Sequence, residues 1–300
     1  MNGKSRGELI LFPKSVDYYQ IELTKLLETE AYGKAVRMLE MLVECKTEDE
    51  RLNSEWAQIL AWLRAEFPDA GLEGENDPDD AGEEEMLKRH VAAKASQDGQ
   101  YAKKLLGAFK ISAMDKQLLA LDQLGHLEDD SVVPELLEYL RENTLHPFVS
   151  FKLLQTLAKL GTTGEVTFGK LGEIITVEVE RTPLSQEHFP EPLPFVSDRV
   201  HQMAEIEDPT ISYFAKETWN EFLVYAYGTS VYRDMLEMDE QEIDVWASAL
   251  HVAVGVSVFG NYDAAEWKER YGITEMMKAS WDKAYESLSG FFRFNANGRI

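Results

Sequence analysis

The sequence predicts a mainly α-helical protein made of stacked helix pairs, with a β-hairpin near residues 165–180 and a helical bundle in its C-terminal part. Three observations predict this fold. Leucines at helical spacing recur with a period of 36 residues in the middle of the chain. A short alternation of apolar and polar residues follows them, as in a β-strand. The C-terminal third contains long apolar and aromatic-rich segments of helical periodicity.

The repeat lies between residues 116 and 161, where a lysine, three leucines and a glycine occur twice in the same order. The first copy is Lys116, Leu118, Leu121, Leu124 and Gly125, and the second is Lys152, Leu154, Leu157, Leu160 and Gly161. Between them, Pro134 and the leucines that follow it predict a further helix. Each leucine stripe needs a neighbouring helix to cover it, so the period predicts helices stacked in pairs. Gly161 is predicted to end its helix as a C-cap.

Two motifs in this stretch resemble HEAT repeats. They are LxALxxLGxLxDxxVVPxLxxxL, carried by residues 118–140, and PxVxxKxLxxLxxLG, carried by residues 147–161. In that family an aspartate of the turn and a basic residue early in the following unit help to join neighbouring units. The matching positions here are Asp129 or Asp130 and Lys152. The resemblance implies an α-solenoid, and such arrays usually bind proteins along a curved surface and rarely carry chemistry.

The N-terminal residues predict a separate helical module, with helices over residues 16–28, 31–44 and 47–67. The segment LLETEAYGKAVRMLEMLVE, with Tyr32, Gly33 and Ala35, resembles one unit of a tetratricopeptide repeat, which also builds superhelical scaffolds. The chain from residue 71 to residue 85 then contains acidic residues and glycines but no base. That composition predicts a solvated linker or loop.

After Gly161 a strand pattern stands where a HEAT unit would have its second helix. Ile175, Val177 and Val179 alternate with polar residues, and a turn over residues 169–172 completes a predicted β-hairpin. A lone hairpin is marginally stable in water, so it must pack on the helices. A Pro-rich connection follows, and helices are predicted over residues 196–207, 209–227, 240–260 and 274–292.

The chain therefore divides into five predicted regions. They are a tetratricopeptide-like module at residues 1–70, an acidic linker or loop at 71–85, a HEAT-like core at 86–164, a β-hairpin with its Pro-rich connection at 165–195 and a C-terminal helical region at 196–300. The succession of a tetratricopeptide-like start, a KQLLALxQL segment and a strand followed by a Thr-Pro dipeptide is similar to that of bacterial repeat proteins to which no activity is assigned.

The net charge and the cysteine count limit which partners and which cellular compartment we expect for this protein. The net charge of −24, from 54 acidic and 30 basic residues, repels phosphate and argues against nucleic acid and anionic lipid as partners. A basic protein partner would be attracted. The single cysteine leaves no internal disulfide, as is usual in a reducing compartment. No apolar run approaches the length of a membrane span and no signal peptide is recognisable, so we expect a cytoplasmic protein.

Sequence motifs make no case for catalytic residues, cofactor binding or a metal site. The chain has no HExxH, GxxxxGK(S/T), GxGxxG or GxSxG pattern. We therefore expect a non-enzymatic protein-interaction scaffold. The alternative is an enzyme or small-ligand binder with a pocket between the hairpin and the aromatic C-terminal helices. It depends on five polar residues near that junction, namely Glu173, Glu178, Glu180, His188 and His201. His251, which stands among alanines and valines, is expected to be a hydrogen-bonded core residue.

Overall fold

A computed structural model of the protein describes residues 32–45, 50–66, 98–127, 131–204, 209–260 and 262–297, together with residues 23, 26, 27, 88, 91, 94, 95 and 129. The predicted acidic linker at residues 71–85 lies outside the described residues, as does most of the predicted helix over residues 16–28.

The described residues are mainly helical, with one two-stranded antiparallel sheet. The helices are α1 (Tyr32–Cys45), α2 (Glu50–Glu66), α3 (Tyr101–Ile111), α4 (Met114–Leu124), α5 (Val132–Glu142), α6 (Pro147–Lys159), α7 (Leu193–Ala204), α8 (Pro209–Ala226), α9 (Ser230–Leu236), α10 (Glu240–Phe259), α11 (Ala264–Arg270) and α12 (Lys278–Asn297). The strands are β1 (Glu165–Lys170) and β2 (Glu173–Glu178), and short 3-10 helices lie at Val179–Arg181, Gln186–His188 and Glu275–Met277. The prediction of a mainly helical fold with a hairpin is confirmed.

Several helix boundaries differ from those predicted. α7 begins at Leu193 rather than at residue 196, because a helix tolerates Pro194 in its first turn. The predicted helix over residues 274–292 starts instead as a 3-10 turn and continues as α12 to Asn297. The sequence patterns did not predict α9 and α11, since each has only seven residues and shows too little of the helical period.

The two copies of the leucine pattern become α4 and α6, which pack against each other. Their leucines at positions 121, 124, 154 and 157 are fully buried, whereas Leu118 and Leu160 are half-buried. Two polar contacts join the pair of helices. Lys152 forms an ion pair with Asp122, and the Thr156 hydroxyl donates a hydrogen bond to the Leu121 carbonyl at 3.1 Å.

Among the described residues, Lys152 pairs with Asp122 and not with Asp129, which is one of the two aspartates that the HEAT resemblance implied. Asp129 instead accepts hydrogen bonds from the Ser131 hydroxyl at 2.6 Å and from its amide at 2.9 Å. These bonds hold the pKa of the Asp129 carboxyl below its usual range and fix the turn before α5. Asp122 is better placed, because it lies on α4 itself beside the residues that face α6. Asp130 lies outside the described residues.

The glycines of the two copies end their helices differently. Gly161 has φ +76°, and the Thr162 amide bonds to the Leu157 carbonyl, as in a Schellman motif. The predicted C-cap at Gly161 is confirmed. Gly125 keeps a right-handed conformation at the end of α4. Pro134 lies exposed in the first turn of α5, as predicted.

The hairpin lies beside the second helix of the repeat, because β1 packs against α5. Its inner face is formed by Val166, Phe168, Lys170 and Ile175, which are all buried. The register pairs Lys170 with Glu173, so the turn contains only Leu171 and Gly172. The predicted turn over residues 169–172 is therefore too long, since residues 169 and 170 belong to β1.

The hairpin turn contains a strained residue whose replacement should stabilise the protein. Leu171 and Gly172 have φ +51° and φ +82°, as a type I′ turn requires. Asparagine adopts the left-handed conformation at lower cost than leucine, so Leu171→Asn is expected to raise the free energy of unfolding by roughly 1 kcal/mol. Urea unfolding measures this, with Gly172→Ala as the destabilised control. A less stable Leu171→Asn variant would show that the partial burial of the leucine outweighs its backbone strain.

The C-terminal helices surround α10, which packs against α7, α8, α11 and α12. By length and composition, α10 is the one helix among the described residues that could cross a membrane, and 61% of its apolar window is buried inside the protein. This corrects the expectation that no apolar run approaches such a length. A buried core helix passes the same test. Because α10 packs among four other helices, its apolar surface forms part of the protein core.

Candidate functional site at the hairpin junction

The five polar residues expected to line a pocket are held by separate local partners. These partners are Ser230 for Glu173, Arg181 for Glu178, the Gly164 amide for Glu180, Ser185 for His188 and Ser212 for His201. Glu173 and Glu178 stand at opposite ends of β2, roughly 17 Å apart from the rise of a strand. Glu173 and Glu178 therefore do not come together as an acid–base pair, and each of the five residues has its own local partner.

The structure instead places a lysine at this junction. The Lys170 side chain is 1% exposed, because strand alternation continues from Val166 and Phe168 and directs it into the protein. Its Nζ donates hydrogen bonds to the carbonyls of Val224 at 3.0 Å and Tyr227 at 3.1 Å, at the C-terminal end of α8. The same alternation, extended by two residues, could have identified Lys170 from the sequence.

Burial lowers the pKa of the Lys170 ammonium to about 7. Hydrogen bonds to carbonyls favour the charged form, so burial is what lowers the pKa. The neutral amine still has two N–H donors, one for each carbonyl. A buried amine of this kind can act as a nucleophile or base when a substrate reaches it. Here both donors are occupied by the main chain, and the side chain closes the end of α8. The geometry therefore gives Lys170 a structural role.

Glu173, the cross-strand neighbour of Lys170, holds the start of the next helix. Its carboxylate accepts hydrogen bonds from the amide and the hydroxyl of Ser230, both at 2.9 Å. Lys170 thus caps the C-terminal carbonyls of α8, and Glu173 caps the N-terminal amide of α9. The carboxylate has the sign that the helix dipole favours at an amide end, and the amine donates to the carbonyls in either protonation state. We call Lys170 and Glu173, with the main-chain groups of residues 224–230 that they hold, the hairpin clamp.

The clamp requires a close approach of the hairpin to the connection between α8 and α9. Gly228 in that connection has φ +80°, and a Cβ atom there would lie 2.8 Å from Val177 Cγ1 and 2.9 Å from Ile175 Cδ1. Only glycine combines this backbone conformation with this spacing. The inner face of β2 therefore packs directly on the main chain of the C-terminal region.

A second buried polar cluster lies between α10 and α11 and centres on His251. Its Nδ1 is 3.0 Å from the Tyr271 hydroxyl and its Nε2 is 2.8 Å from the Tyr262 hydroxyl, while the Trp267 ring lies 3.7 Å from the imidazole centroid. The prediction of a hydrogen-bonded core histidine is confirmed. Burial, and then the charge of Arg270, lower the pKa of His251 to about 3. The imidazole is neutral, so one tyrosine donates to it and the other accepts.

Gly255→Ala is expected to disrupt this cluster. A Cβ atom at residue 255 would lie 2.5 Å from ring carbons of Tyr262, so the ring must move away from His251. The overpacking and the lost hydrogen bond should cost roughly 1–3 kcal/mol of unfolding free energy. Gly290→Ala on α12 is the matched control, since nothing lies within 4 Å of its Cβ position. Thermal unfolding of both variants checks this, and equal stabilities would contradict it.

The outer surface of α5 and the hairpin carries exposed acidic residues. Glu138 and Glu142 lie one helical turn apart on the exposed side of α5. Glu165 and Glu178 oppose each other on the hairpin face turned away from the clamp. These four glutamates belong to elements that pack against each other, and we call their exposed sides together the α5–hairpin face.

Among the described residues, no three His, Cys, Asp or Glu side chains lie together as a metal site. No protein-family model, curated protein or solved structure matches this chain. The likeness to HEAT and tetratricopeptide repeats therefore depends on the motifs and contacts given above.

Proposed function

We propose that the protein is a non-enzymatic interaction scaffold of the helical-repeat type, which binds a basic protein partner in the cytoplasm. The observation that carries this proposal is the stacking of α4 on α6, with α5 and then the hairpin as the second layer. In an α-solenoid, first helices stack on first helices and second elements stack on second elements. The Lys152–Asp122 ion pair and the Thr156–Leu121 hydrogen bond support a fixed stack.

The α5–hairpin face is the surface that we assign to the partner. It belongs to the second layer, and Glu138 and Glu142 are exposed on it. Two described bases lie near them, because Arg141 is on α5 itself and Lys110 of α3 forms an ion pair with Glu135 and interacts with the charge of Glu138. The net charge of −24 adds a long-range attraction for a basic protein, which speeds encounter and weakens as salt rises.

A second candidate function is catalysis or small-ligand binding at the hairpin junction, and Lys170 is the observation that favours it. This function requires a reagent to reach the amine. Reductive methylation of the native protein, followed by mass spectrometry, distinguishes the two candidates. The scaffold proposal expects Lys170 to react more slowly than the exposed lysines, because both of its donors are bound to carbonyls. Rapid modification of Lys170 would favour the ligand-binding alternative.

Affinity capture with two matched charge reversals tests the proposed function. The full chain is tagged and used to capture proteins from its own cell lysate at low and moderate salt. The first variant carries Glu138→Lys and Glu142→Lys on α5. The control carries Asp282→Lys and Glu286→Lys, which lie at the same spacing on the exposed side of α12.

The proposal expects one stoichiometric basic protein, which is retained by the wild type and the α12 variant. The α5 variant should lose it by roughly tenfold or more. Equal loss in both variants would mean that only the total charge matters. Absence of any saturable partner would contradict the proposal.

A further inference from the structure

β2 has a hydrogen-bonding edge that faces away from β1. The Val179 amide bonds to the Gly164 carbonyl, and this pair continues the register that pairs Lys170 with Glu173. In an antiparallel ladder, hydrogen-bonded pairs alternate with pairs that are not bonded to each other. The amides and carbonyls of Ile174, Thr176 and Glu178 therefore point outward from the sheet.

This edge is uncovered among the residues that the structure describes. The β1 side of the sheet packs against α5, whereas no described group hydrogen bonds to the main chain of Ile174 or Thr176. The Ile174 side chain, which lies beside this edge, is 77% exposed. An open edge beside an exposed apolar side chain is the arrangement that takes up an added strand.

We propose that the outer edge of β2 binds an extended segment of the basic partner as a third strand. This inference rests on the proposed function and specifies how that partner binds. The main chain of residues 174–178 supplies the hydrogen bonds. Ile174 and Glu178 lie on the same face of β2, so the segment would carry an apolar residue and a lysine or arginine four positions apart.

Charge selects such a segment over a second copy of this chain. Glu165 and Glu178 already oppose each other on the outer face, and the exposed Arg181 pairs with Glu178 at 2.9 Å. A second copy would bring another net charge of −24 to the same edge. A basic segment instead relieves the repulsion between the two glutamates. The hairpin clamp holds the opposite face of β2 on the helices, so the edge is presented without a further folding step.

The probes are two labelled seven-residue peptides, in which a valine and a lysine stand four positions apart in either order among threonines. Binding to the full chain is measured by fluorescence anisotropy. Thr176→Pro removes one outward amide, and proline is tolerated where a strand amide faces solvent. Thr176→Val is the matched control, because it also loses the side-chain bond to Thr167 but keeps the amide.

We expect Thr176→Pro to weaken binding of at least one peptide by roughly tenfold, and Thr176→Val to leave its Kd within about twofold. Methylation of the peptide amides should have the same effect as the proline. Ile174→Lys leaves the main-chain hydrogen bonds between β1 and β2 intact and should also weaken binding. It replaces Thr176→Pro as the test if the proline variant fails to fold.

Equal binding of the methylated peptide would show attraction by charge alone and would overturn the inference. So would a dimer, seen by light scattering, that Thr176→Pro dissociates, because a second copy would then occupy the edge. If the α5 charge reversal releases the captured partner and Thr176→Pro does not, the proposed function stands and strand addition fails. If no partner is captured, the proposed function fails, and the peptides still report on the edge.

Discussion

Lys170→Met is expected to remove a rise in stability that the wild type shows between pH 7 and pH 10. The folded pKa of Lys170 is about 7, against 10.5 for an ordinary lysine. In that window the unfolded chain binds one proton that the folded chain does not, so the free energy of unfolding increases with pH. The slope from this one group is about 1.4 kcal/mol per pH unit. Methionine has nearly the same length and does not titrate.

The stability difference between wild type and Lys170→Met should therefore widen as pH rises. At pH 9 the wild-type amine is neutral and satisfies two carbonyls, and the variant leaves both without a donor, at a cost of roughly 1–3 kcal/mol each. At pH 6 the wild type holds a buried ammonium, so the difference is smaller. Other groups titrate equally in both proteins and cancel. Urea unfolding at closely spaced pH values measures the difference, and parallel curves would contradict the assigned environment of Lys170.

His251→Gln is expected to make the protein less sensitive to acid. The folded pKa of His251 is about 3, against 6.5 for an ordinary histidine. As pH falls from 6.5 towards 3, the unfolded chain binds a proton that the folded chain does not bind. The free energy of unfolding of the wild type therefore falls by up to about 1.4 kcal/mol per pH unit from this group. Glutamine can donate and accept hydrogen bonds without titrating.

At pH 7 the glutamine variant should be less stable than the wild type by roughly 1–3 kcal/mol, because it cannot reproduce both tyrosine bonds and the packing on Trp267. This gap should narrow steadily below pH 6.5. Urea unfolding between pH 4 and pH 7 measures it. A gap that stays constant over this range would show that His251 is not held neutral.

The features that follow from periodicity could be predicted from the sequence. The leucine spacing of α4 and α6 predicts two buried stripes, and the alternation at Ile175 and Val177 predicts a strand. Both patterns reflect which side chains leave water, and this is a local property of the sequence. The same reasoning identified His251 as a core residue.

The features that depend on tertiary contacts could not be predicted in this way. Whether Asp122 or Asp129 pairs with Lys152 depends on how α4 and α6 lie against each other. The carbonyls that hold Lys170 belong to a helix end more than fifty residues further along the chain. Five polar residues near one another in sequence suggested a pocket, but strand and helix geometry directed each to a separate partner. Proximity in sequence therefore did not predict which of these side chains contact one another.

The hairpin has two roles, because its inner face carries the clamp and its outer edge is the proposed binding site. Ile175 and Val177 pack on the connection between α8 and α9, while Ile174 and Thr176 point away from it. One strand thus fixes the C-terminal helices and presents a surface to a partner. Substitutions on one face should affect stability, and substitutions on the other should affect binding.

Amide hydrogen exchange of the full chain, with and without the captured partner, tests the α5–hairpin face most directly. We expect the bound partner to slow exchange chiefly over residues 132–142 and 174–178 and to leave exchange in α12 unchanged. Slower exchange confined to α12 or to other helices, with α5 and β2 unaffected, would contradict the assigned binding surface.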